Sequence, residues 1–467
     1  MGILAGRMVR MRPIVVTVCV AEKLWDQLKA DIQSDFTPEE EKYLSHIHLL
    51  RLEQGSNHID VAHFRDHFLD TWNNLCAGGR VPYEAVDGST GLVDLQDIPL
   101  SAVVVDGIGV EINEALHRQR TRSPWPLKFN LYFWAPGSTN FFLDRCRTDP
   151  MPLILSTQKK QNMSFEDACV QVLCKKPGVL KESAGFPPMY DYEFEPQGTS
   201  DAFRNCLAKE NRKVFYAGPL ISAGHASPAP HDTQGAEESM KYMDRQLKEN
   251  GERSVIYISF GSLWWPQDPP KLTAVLDLLV ELGVPFIMSR PSPAAQLSED
   301  LVQRLKGNPN VHLGNRLPQP IILDHPALGW CLTHGGHNTV LECIHFGVPM
   351  IVWPISFDQA LNAVHLSYNI DMAYELMEVR NGIGAGTVYR TGRAPLGTLD
   401  AVRDELRDVL ARAFGEDGAA KRRRLLSLRD TLGEAWTENG TARKEVGDFL
   451  DLVMALPTST LMPIRNA

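Results

Sequence analysis

The chain has 467 residues, of which 43% are hydrophobic and 22% are charged, so a disordered, collagen-like or coiled-coil protein is excluded. At ~100 to 200 residues per domain, this length predicts two or three domains that each bury a core of their own. The formal net charge of -10, from 47 basic and 57 acidic residues, disfavours nucleic acid as a partner, because phosphate binding needs a positive field.

The N-terminus has a helical pattern over Ile3 to Met11, followed by the apolar run Ile14 to Ala21. Basic residues ahead of an apolar run imitate a signal peptide, but the β-branched content of this run favours a buried parallel strand. No other segment reaches the ~18 apolar residues that a membrane-spanning helix needs. We therefore expect a cytoplasmic protein, with peripheral contact with a membrane left open as an alternative.

The eight cysteines are scattered, with no CxxC pair and no histidines at zinc-finger spacing. This usage indicates a reducing, intracellular setting and neither a disulfide framework nor a structural zinc. Because no Asp-x-Asp pair occurs in the chain, we expect no metal site. The basic run Lys421 to Arg424 lies in a Leu- and Arg-rich helical pattern, and we interpret it as a solvated face.

Along the rest of the chain, short β-branched runs alternate with amphipathic helical stretches, which predicts doubly wound parallel sheets in an α/β fold. Residues 221–236 have the Ala-, Pro-, Ser- and Gly-rich composition of a linker. We expect an N-terminal domain over 1–220 and a C-terminal domain over 237–440. A C-terminal helix and tail over 441–467 could pack on the first domain. Ligands of such sheets bind beyond the carboxyl ends of the strands, so two facing halves would form one cleft.

The segment between residues 315 and 359 carries the chemistry. An apolar strand ends at Thr333, a pair of glycines predicts a tight turn, and a helix follows. The free backbone N–H groups and the positive dipole end of such a helix accept phosphate oxygens. The groups expected around the phosphates are those of His334, Gly336, Asn338 and Thr339.

Acidic and amide side chains extend this site beyond the phosphates. Glu342 lies one helical turn after Asn338 on the same face, where a carboxylate could accept hydrogen bonds from ribose hydroxyls. Asp358 and Gln359 follow the next strand and should project into the same cleft, where they could bind further hydroxyls. A site for phosphate, then ribose, then another polyol predicts a nucleotide sugar as ligand.

This segment resembles the donor-binding signature of the family 1 UDP-glycosyltransferases in residue order and in spacing. Val255 to Ser262 also resembles the first strand and the phosphate-facing loop of the family's C-terminal domain. The resemblance implies the GT-B fold, in which two doubly wound Rossmann-like domains face each other across a cleft. The donor-binding residues that it implies are Ser262, Arg316, Gln319, His334, Gly336, Asn338, Thr339, Glu342, Asp358 and Gln359. Among these, His334, Asn338 and Thr339 would contact the phosphates, Gln319 and Glu342 the ribose, and Asp358 and Gln359 the transferred sugar.

Two departures from the family pattern bear on substrate and activity. Arg316 stands where the family has a Trp that stacks on uracil, and a guanidinium plane can stack on a base as well. The family also has a His base after its first strand, oriented by an Asp at the end of a later strand. Asp106 fits the position of that Asp and is the expected catalytic residue. The first helix already begins at the start of this chain, so we expect the first strand and its His to be missing.

The expected function is transfer of a hexose from a UDP-sugar to a small lipophilic acceptor with inversion. The UDP-sugar is a co-substrate, and no cofactor is expected. Loss of a general base costs on the order of 10²- to 10⁴-fold in rate. The chain is therefore either a truncated form of an active enzyme or a non-catalytic UDP-sugar-binding protein. A dinucleotide oxidoreductase would need GxGxxG after the first strand, and that motif is not present there.

Overall fold

The computed structural model of the chain describes residues 2–53, 61–95, 102–106, 112, 116, 129–133, 156–160, 180–181, 189–190, 215–221, 233–356 and 358–455. The chain divides into two compact units. The first unit comprises Met1–Trp134, Phe215–Ala229 and Leu432–Ala467, and the second comprises Ala135–Val214 and Pro230–Thr431. The domain bounds expected from the sequence, at 220 and 440, remain a prediction.

The first unit begins with the helix and the strand that the sequence predicts. Its elements are α1 (Gly2–Met11), β1 (Val16–Ala21), α2 (Trp25–Gln33), β2 (Ile47–Leu52), α3 (Val61–Cys76), β3 (Val81–Ala85), β4 (Thr90–Val93), β5 (Ala102–Asp106) and β6 (Phe129–Phe133). Strands β1 and β2 pair in parallel, and β3 and β4 extend this sheet as an antiparallel hairpin. Strands β5 and β6 form a further parallel pair. Two short strands, β7 (Leu180–Lys181) and β8 (Met189–Tyr190), follow along the chain.

The second unit is built around a six-stranded parallel sheet. Its strands are β9 (Val255–Ser259), β10 (Phe286–Ser289), β11 (Val311–Gly314), β12 (Leu328–Thr333), β13 (Met350–Val352) and β14 (Ala373–Glu375). The helices are α4 (Thr233–Asn250), α5 (Pro269–Glu281), α6 (Glu299–Lys306), α7 (Gln319–Asp324), α8 (His337–Phe346), α9 (Gln359–Val364), α10 (Leu399–Ala413) and α11 (Glu416–Gly433). The strand order β11-β10-β9-β12-β13-β14 is a doubly wound order, which confirms the predicted α/β class.

The apolar runs of the sequence form strands because they are buried on both faces of this sheet. Every residue of β9, β10, β12 and β13 is buried, as expected for parallel strands covered by helices on both sides. Phe260, directly after β9, is fully buried between the edges of Trp265 and Trp353, with ring centroids 5.6 Å away in each case. Burial of one such side chain stabilises the fold by about 1.5–3 kcal/mol. The carboxyl edge of the sheet is therefore a firmly packed platform.

The strand order reverses between β9 and β12. Strands β10 and β11 lie on one side of β9, whereas β12, β13 and β14 lie on the other. Connections leave the two central strands in opposite directions, which opens a crevice beyond their carboxyl ends. Gly261 and Ser262 follow β9 at this edge, and His334 to Gly336 follow β12. The fold thus brings both predicted phosphate-facing segments to one place.

The last helix, α12 (Thr441–Ala455), packs on α1 within the first unit. Leu4 of α1 and Val446 and Leu450 of α12 are buried in one cluster. Arg12 pairs with Asp451 at 2.7 Å beside this contact. The C-terminal end of the described chain is therefore held against its N-terminal helix.

The basic run Lys421 to Arg424 is only partly the solvated face that the sequence suggested: Arg423 and Arg424 are exposed, whereas Lys421 and Arg422 are not. Lys421 is 3% exposed and pairs with Asp371. Arg422 donates to the carbonyl oxygen of Gly347, which ends α8 in the left-handed region with φ of 73°. Burial lowers the pKa of Arg422 to about 10, and it remains charged at pH 7. Lys421 and Arg422 were misjudged because their charges meet their partners, including an orphan carbonyl at a helix end, only in the folded unit.

No helix within the described ranges is long and apolar enough to cross a lipid bilayer. The same residues contain no group of three His, Cys, Asp or Glu side chains arranged to hold a metal ion.

Candidate functional site

The turn from β12 into α8 depends on two adjacent glycines. Gly335 has φ of 80°, a conformation that glycine adopts without strain, and a Cβ there would lie 2.7 Å from Cγ1 of Val352. Gly336 is the N-cap of α8 and has no side chain to bond the first N–H groups of the helix. Those backbone N–H groups, at the positive end of a ten-residue helix, are available to an anion.

The ring of His334 lies between two glycines that come from different strands. A Cβ on Gly261 would lie 2.9 Å from both Cε1 and Nε2 of the ring, and a Cβ on Gly336 would overlap Nε2. Glycine at both positions is what leaves room for the imidazole. Because Gly261 follows β9 and Gly336 follows β12, the ring spans the carboxyl ends of the two strands between which the order reverses.

The protonation state of His334 follows from its surroundings. The residue is 6% exposed, and burial lowers its pKa to about 4, so the ring is neutral at pH 7. The Oγ1 atom of Thr333 accepts the N–H of Gly335 at 3.4 Å and lies 3.3 Å from Nδ1 of the ring. We assign the hydroxyl hydrogen to the bond with Nδ1, which leaves the ring hydrogen on Nε2. His334 can therefore meet a phosphate oxygen as a neutral N–H donor and not as a cation.

Three further predicted phosphate contacts lie at the same edge. Asn338 is exposed on the first turn of α8, and Ser262 is exposed directly after Gly261. Thr339 is 6% exposed. The side chains of Asn338 and Ser262 are thus accessible to a ligand at the helix end, and their contacts with phosphate remain predictions.

The two residues that the resemblance implies for ribose are bonded to each other. Gln319, the first residue of α7, donates from Nε2 to Oε2 of Glu342 on α8. The Oε1 atom of Gln319 accepts the hydroxyl hydrogen of Tyr257 at 3.1 Å. Tyr257 is buried in β9, and burial raises its pKa well above the ordinary value, so its hydroxyl remains a donor. A buried tyrosine thus fixes which way the amide of Gln319 faces and, through it, the carboxylate of Glu342.

Asp358 and Gln359 differ in where their side chains go. Asp358 is half-buried at the N-cap of α9, whereas Gln359 is 1% exposed. The Oε1 atom of Gln359 accepts the N–H groups of Ile355 and Ser356 at 2.9 and 2.8 Å. Contrary to the expectation that this side chain projects into the site, its carbonyl oxygen turns back to fix the loop before α9. Only its amide nitrogen remains for contact with a sugar.

Arg316 is exposed at the carboxyl end of β11, where it lines a cavity of about 440 Å³ beside the start of α4. The lining residues are Gly235, Glu238, His312, Leu313, Gly314, Asn315, Arg316 and Leu317. Arg290, which follows β10, donates from Nη2 to Oδ1 of Asn315 at 3.2 Å. The structure thus provides space next to the guanidinium of Arg316, and its stacking on a base stays a prediction.

Asp106 is the last residue of β5, and its side chain lies outside the described residues, so its catalytic role stays a prediction. Sequence reasoning gave no site role to Tyr257 or Asn362, which contact the predicted site residues, and it placed Gly261 only as part of the phosphate-facing loop. Asn362 follows Asp358 by four residues, and this spacing on a helix was an available signal that the two side chains meet. Tyr257 gave no signal, because an aromatic residue within an apolar strand is typical of a core position.

Comparison with known proteins places these residues in a family. Residues 227–376 match the family described as UDP-glucoronosyl and UDP-glucosyl transferase. The UDP-glycosyltransferase eriJ of Hericium erinaceus is 30% identical over 311 residues, which are 57% of this chain and 62% of that protein. A flavonoid 3-O-glucosyltransferase of Medicago truncatula is 32% identical over 208 residues, which are 44% of this chain and 41% of that protein. The chain therefore spans less than two thirds of the length of either relative.

Solved structures match over nearly the whole chain. A UGT transferase of Siraitia grosvenorii in complex with UDP superposes with a TM-score of 0.62 at 17% identity, covering 97% of this chain and 95% of that one. UGT71G1 of Medicago truncatula complexed with UDP-glucose gives a TM-score of 0.63 at 16% identity, with the same coverage. These similarities confirm the fold expected from the sequence. Residues 227–376 therefore resemble the UDP-glucoronosyl and UDP-glucosyl transferases, and the chain has the GT-B fold, with α/β domains of the Rossmann-like kind.

Proposed function

We propose that the chain binds a UDP-sugar at the turn before α8 and transfers the hexose to a small lipophilic acceptor with inversion. The observation that carries this proposal is the ring of His334, which is neutral and lies between Gly261 and Gly336 at a helix end that no side chain caps. The uncapped N–H groups, the positive dipole end of the helix and the N–H of a neutral imidazole together suit a diphosphate. The printed names of the relatives, a flavonoid 3-O-glucosyltransferase among them, support a small acceptor.

The same donors would assist the chemical step. When the bond between the anomeric carbon and the diphosphate breaks, negative charge grows on the phosphate oxygens. On this proposal, the N–H groups of α8 and the Nε2–H of His334 would already face that position, so that little reorganisation would be needed as the charge develops. Removing a single preorganised donor of this kind costs about 10²- to 10³-fold in rate in enzymes where it has been measured.

The remaining site residues would set the register of the donor. Glu342, held by Gln319, would accept hydroxyl hydrogens from the ribose, one helical turn from the phosphates. Asp358 would accept hydroxyl hydrogens from the hexose. An inverting transfer also needs a base for the acceptor hydroxyl. No residue of the chain is assigned as that base; Asp106 would orient it, and the product assay below decides whether transfer occurs.

Isothermal titration calorimetry with UDP and UDP-glucose tests the donor site. We expect His334→Ala and Glu342→Ala each to weaken the affinity for UDP by about tenfold or more, since each removes hydrogen bonds to or from a charged group. His345→Ala is the matched control, because it makes the same change at the exposed far end of the same helix. If the wild-type chain ignores both ligands, the proposal is wrong.

Incubation with UDP-glucose and a panel of phenols and sterols tests the transfer. A glucoside product with inverted anomeric configuration supports the enzyme. Saturable UDP binding without any product would instead support the non-catalytic UDP-sugar-binding protein.

A further inference from the structure

Asn362 uses both hydrogens of its side-chain amide on the candidate site. The residue lies on α9 and is 8% exposed. Its Nδ2 atom donates to the carbonyl oxygen of Gly335 at 2.8 Å and to Oδ2 of Asp358 at 2.9 Å. A primary amide nitrogen has two hydrogens, so both donors are used and the orientation of the amide is fixed.

The two acceptors belong to different parts of the proposed donor site. Gly335 forms the turn that sets His334 and the N-terminus of α8, the region proposed for the diphosphate. Asp358 begins α9 and is proposed to contact the hexose. Asn362 is thus a direct link, through one planar group, between the element proposed to hold the phosphates and the carboxylate proposed to hold the sugar.

Each end of this link is constrained independently. The turn at Gly335 cannot shift toward β13, because Val352 already lies against it. The loop before Asp358 is fixed from inside by Gln359, whose Oε1 accepts two backbone N–H groups. The bond from Asn362 to Oδ2 of Asp358 then sets the rotation of the carboxylate, and among the described residues no hydrogen bond engages its Oδ1.

We propose that Asn362 is a positioning residue, which holds the carboxylate of Asp358 at a fixed distance and angle from the diphosphate turn. This role rests on the proposed function and deepens it, because it couples selection of the sugar to binding of the phosphates. Asn362 does not touch the donor. A change at Asn362 should therefore alter the difference between the affinity for the UDP-sugar and the affinity for UDP.

The useful readout is a ratio, the Kd for UDP divided by the Kd for UDP-glucose. A substitution that only loosens the turn at Gly335 raises the Kd for UDP and the Kd for UDP-glucose by the same factor, so the ratio is unchanged. A substitution that frees Asp358 to rotate weakens UDP-glucose more and lowers the ratio. Calorimetry on the full chain measures both constants.

The variants are Asn362→Ala, Asp358→Ala and the double variant, with Asn369→Ala as control. Asn369 is an exposed asparagine seven residues further along the same segment. Loss of one hydrogen bond predicts a fall of about fivefold in the ratio for Asn362→Ala. We expect Asp358→Ala to lower the ratio at least as far, and the double variant to match Asp358→Ala. Asn369→Ala should keep the wild-type value. Should Asn362→Ala melt below the assay temperature, Asn362→Ser takes its place, since it keeps one donor.

Several results would overturn the inference. An unchanged ratio in Asn362→Ala would do so, as would a ratio that Asp358→Ala leaves at the wild-type value. The inference would also be overturned if the double variant lowered the ratio by the product of the two single-variant factors, because Asn362 would then act independently of Asp358. Failure of the wild-type chain to bind UDP at all would remove the proposed function together with this inference, and so the two failures are distinguishable.

Discussion

Substitution of Gly336 by alanine should separate ligand binding from stability. Gly336 has φ of -65° and ψ of 146°, values that alanine adopts without strain. The new methyl group would overlap Nε2 of His334 and lie 3.0 Å from Cε1, so the ring must turn away. Gly261 also lies close to Cε1 and Nε2 of the ring, which restricts where the ring can move.

The magnitudes follow from this geometry. Displacing the Nε2–H removes one hydrogen bond to a charged phosphate, worth about 1.5–3 kcal/mol, which is about 10- to 150-fold in the Kd for UDP. Alanine is a poorer N-cap than glycine by up to about 1 kcal/mol, but it also lowers the entropy of the unfolded chain by about 0.4–1 kcal/mol. These two effects on stability nearly cancel. We expect Gly336→Ala to lose UDP affinity while its free energy of unfolding stays within about 1 kcal/mol of the wild type.

A double-mutant cycle with His334→Ala identifies the cause. Once the imidazole is absent, the methyl group at 336 has nothing to displace, so Gly336→Ala should then change the Kd for UDP by less than about twofold. Calorimetry gives the four Kd values, and urea unfolding gives the four stabilities. Full additivity of the two substitutions in ΔG of binding, or unaltered UDP affinity in Gly336→Ala, would refute the reasoning.

Four further outcomes are expected. Tyr257→Phe removes the hydroxyl that orients Gln319 and should weaken UDP about fivefold in calorimetry; an unchanged Kd would contradict that role. The affinity for UDP-glucose should stay constant between pH 6 and 8, because a pKa of about 4 keeps His334 neutral there; a rise in affinity on acidification through pH 6.5 would indicate a cation instead. Unfolded histidine takes up a proton near pH 6.5, whereas folded His334 does so only near pH 4. The free energy of unfolding should therefore decrease as the pH is lowered from about 6.5 to about 4. Urea unfolding should show a smaller decrease for His334→Gln. Arg422→Met leaves a carbonyl at the end of α8 unpaired and should lower Tm by about 4–8 °C in calorimetric scans, whereas Arg423→Met, at an exposed pair, should not.

The sheet of the second unit could be predicted from the sequence because its signals are local. Uninterrupted β-branched runs such as Val255–Ser259 are typical of strands buried on both faces, and the observed strand needs no tertiary contact to be recognised. The adjacent glycines at 335 and 336 are likewise a local signal, and they predicted a turn. The phosphate-binding role of this turn was predicted because the residue order along the segment resembles a known signature.

The remainder depended on contacts between residues far apart in the chain. The hydrogen bond between Gln319 and Glu342 crosses 23 residues, and the burial of Lys421 depends on Asp371, 50 residues away. Neither separation carries a periodicity that would indicate a contact. Gln359 was misjudged differently: its carbonyl bonds to a loop only three and four residues back, a local competitor for the side chain that the sequence did not reveal.

Buried residues orient several of the binding groups of the candidate site. Three of the groups proposed to hold the donor have a buried partner that orients them: Tyr257 behind the ribose pair, Thr333 behind the imidazole, and Asn362 behind the sugar-facing carboxylate. Support of this kind is what keeps binding groups within a fraction of an ångström of a productive geometry. The exposed side chains of Arg316 and Asn338 have less of their conformation set by the core. Substitutions at these exposed positions should therefore be the ones that most readily change which nucleotide sugar is preferred. Substitutions at the buried partners should instead weaken the binding of every nucleotide sugar that contacts the group which the partner orients.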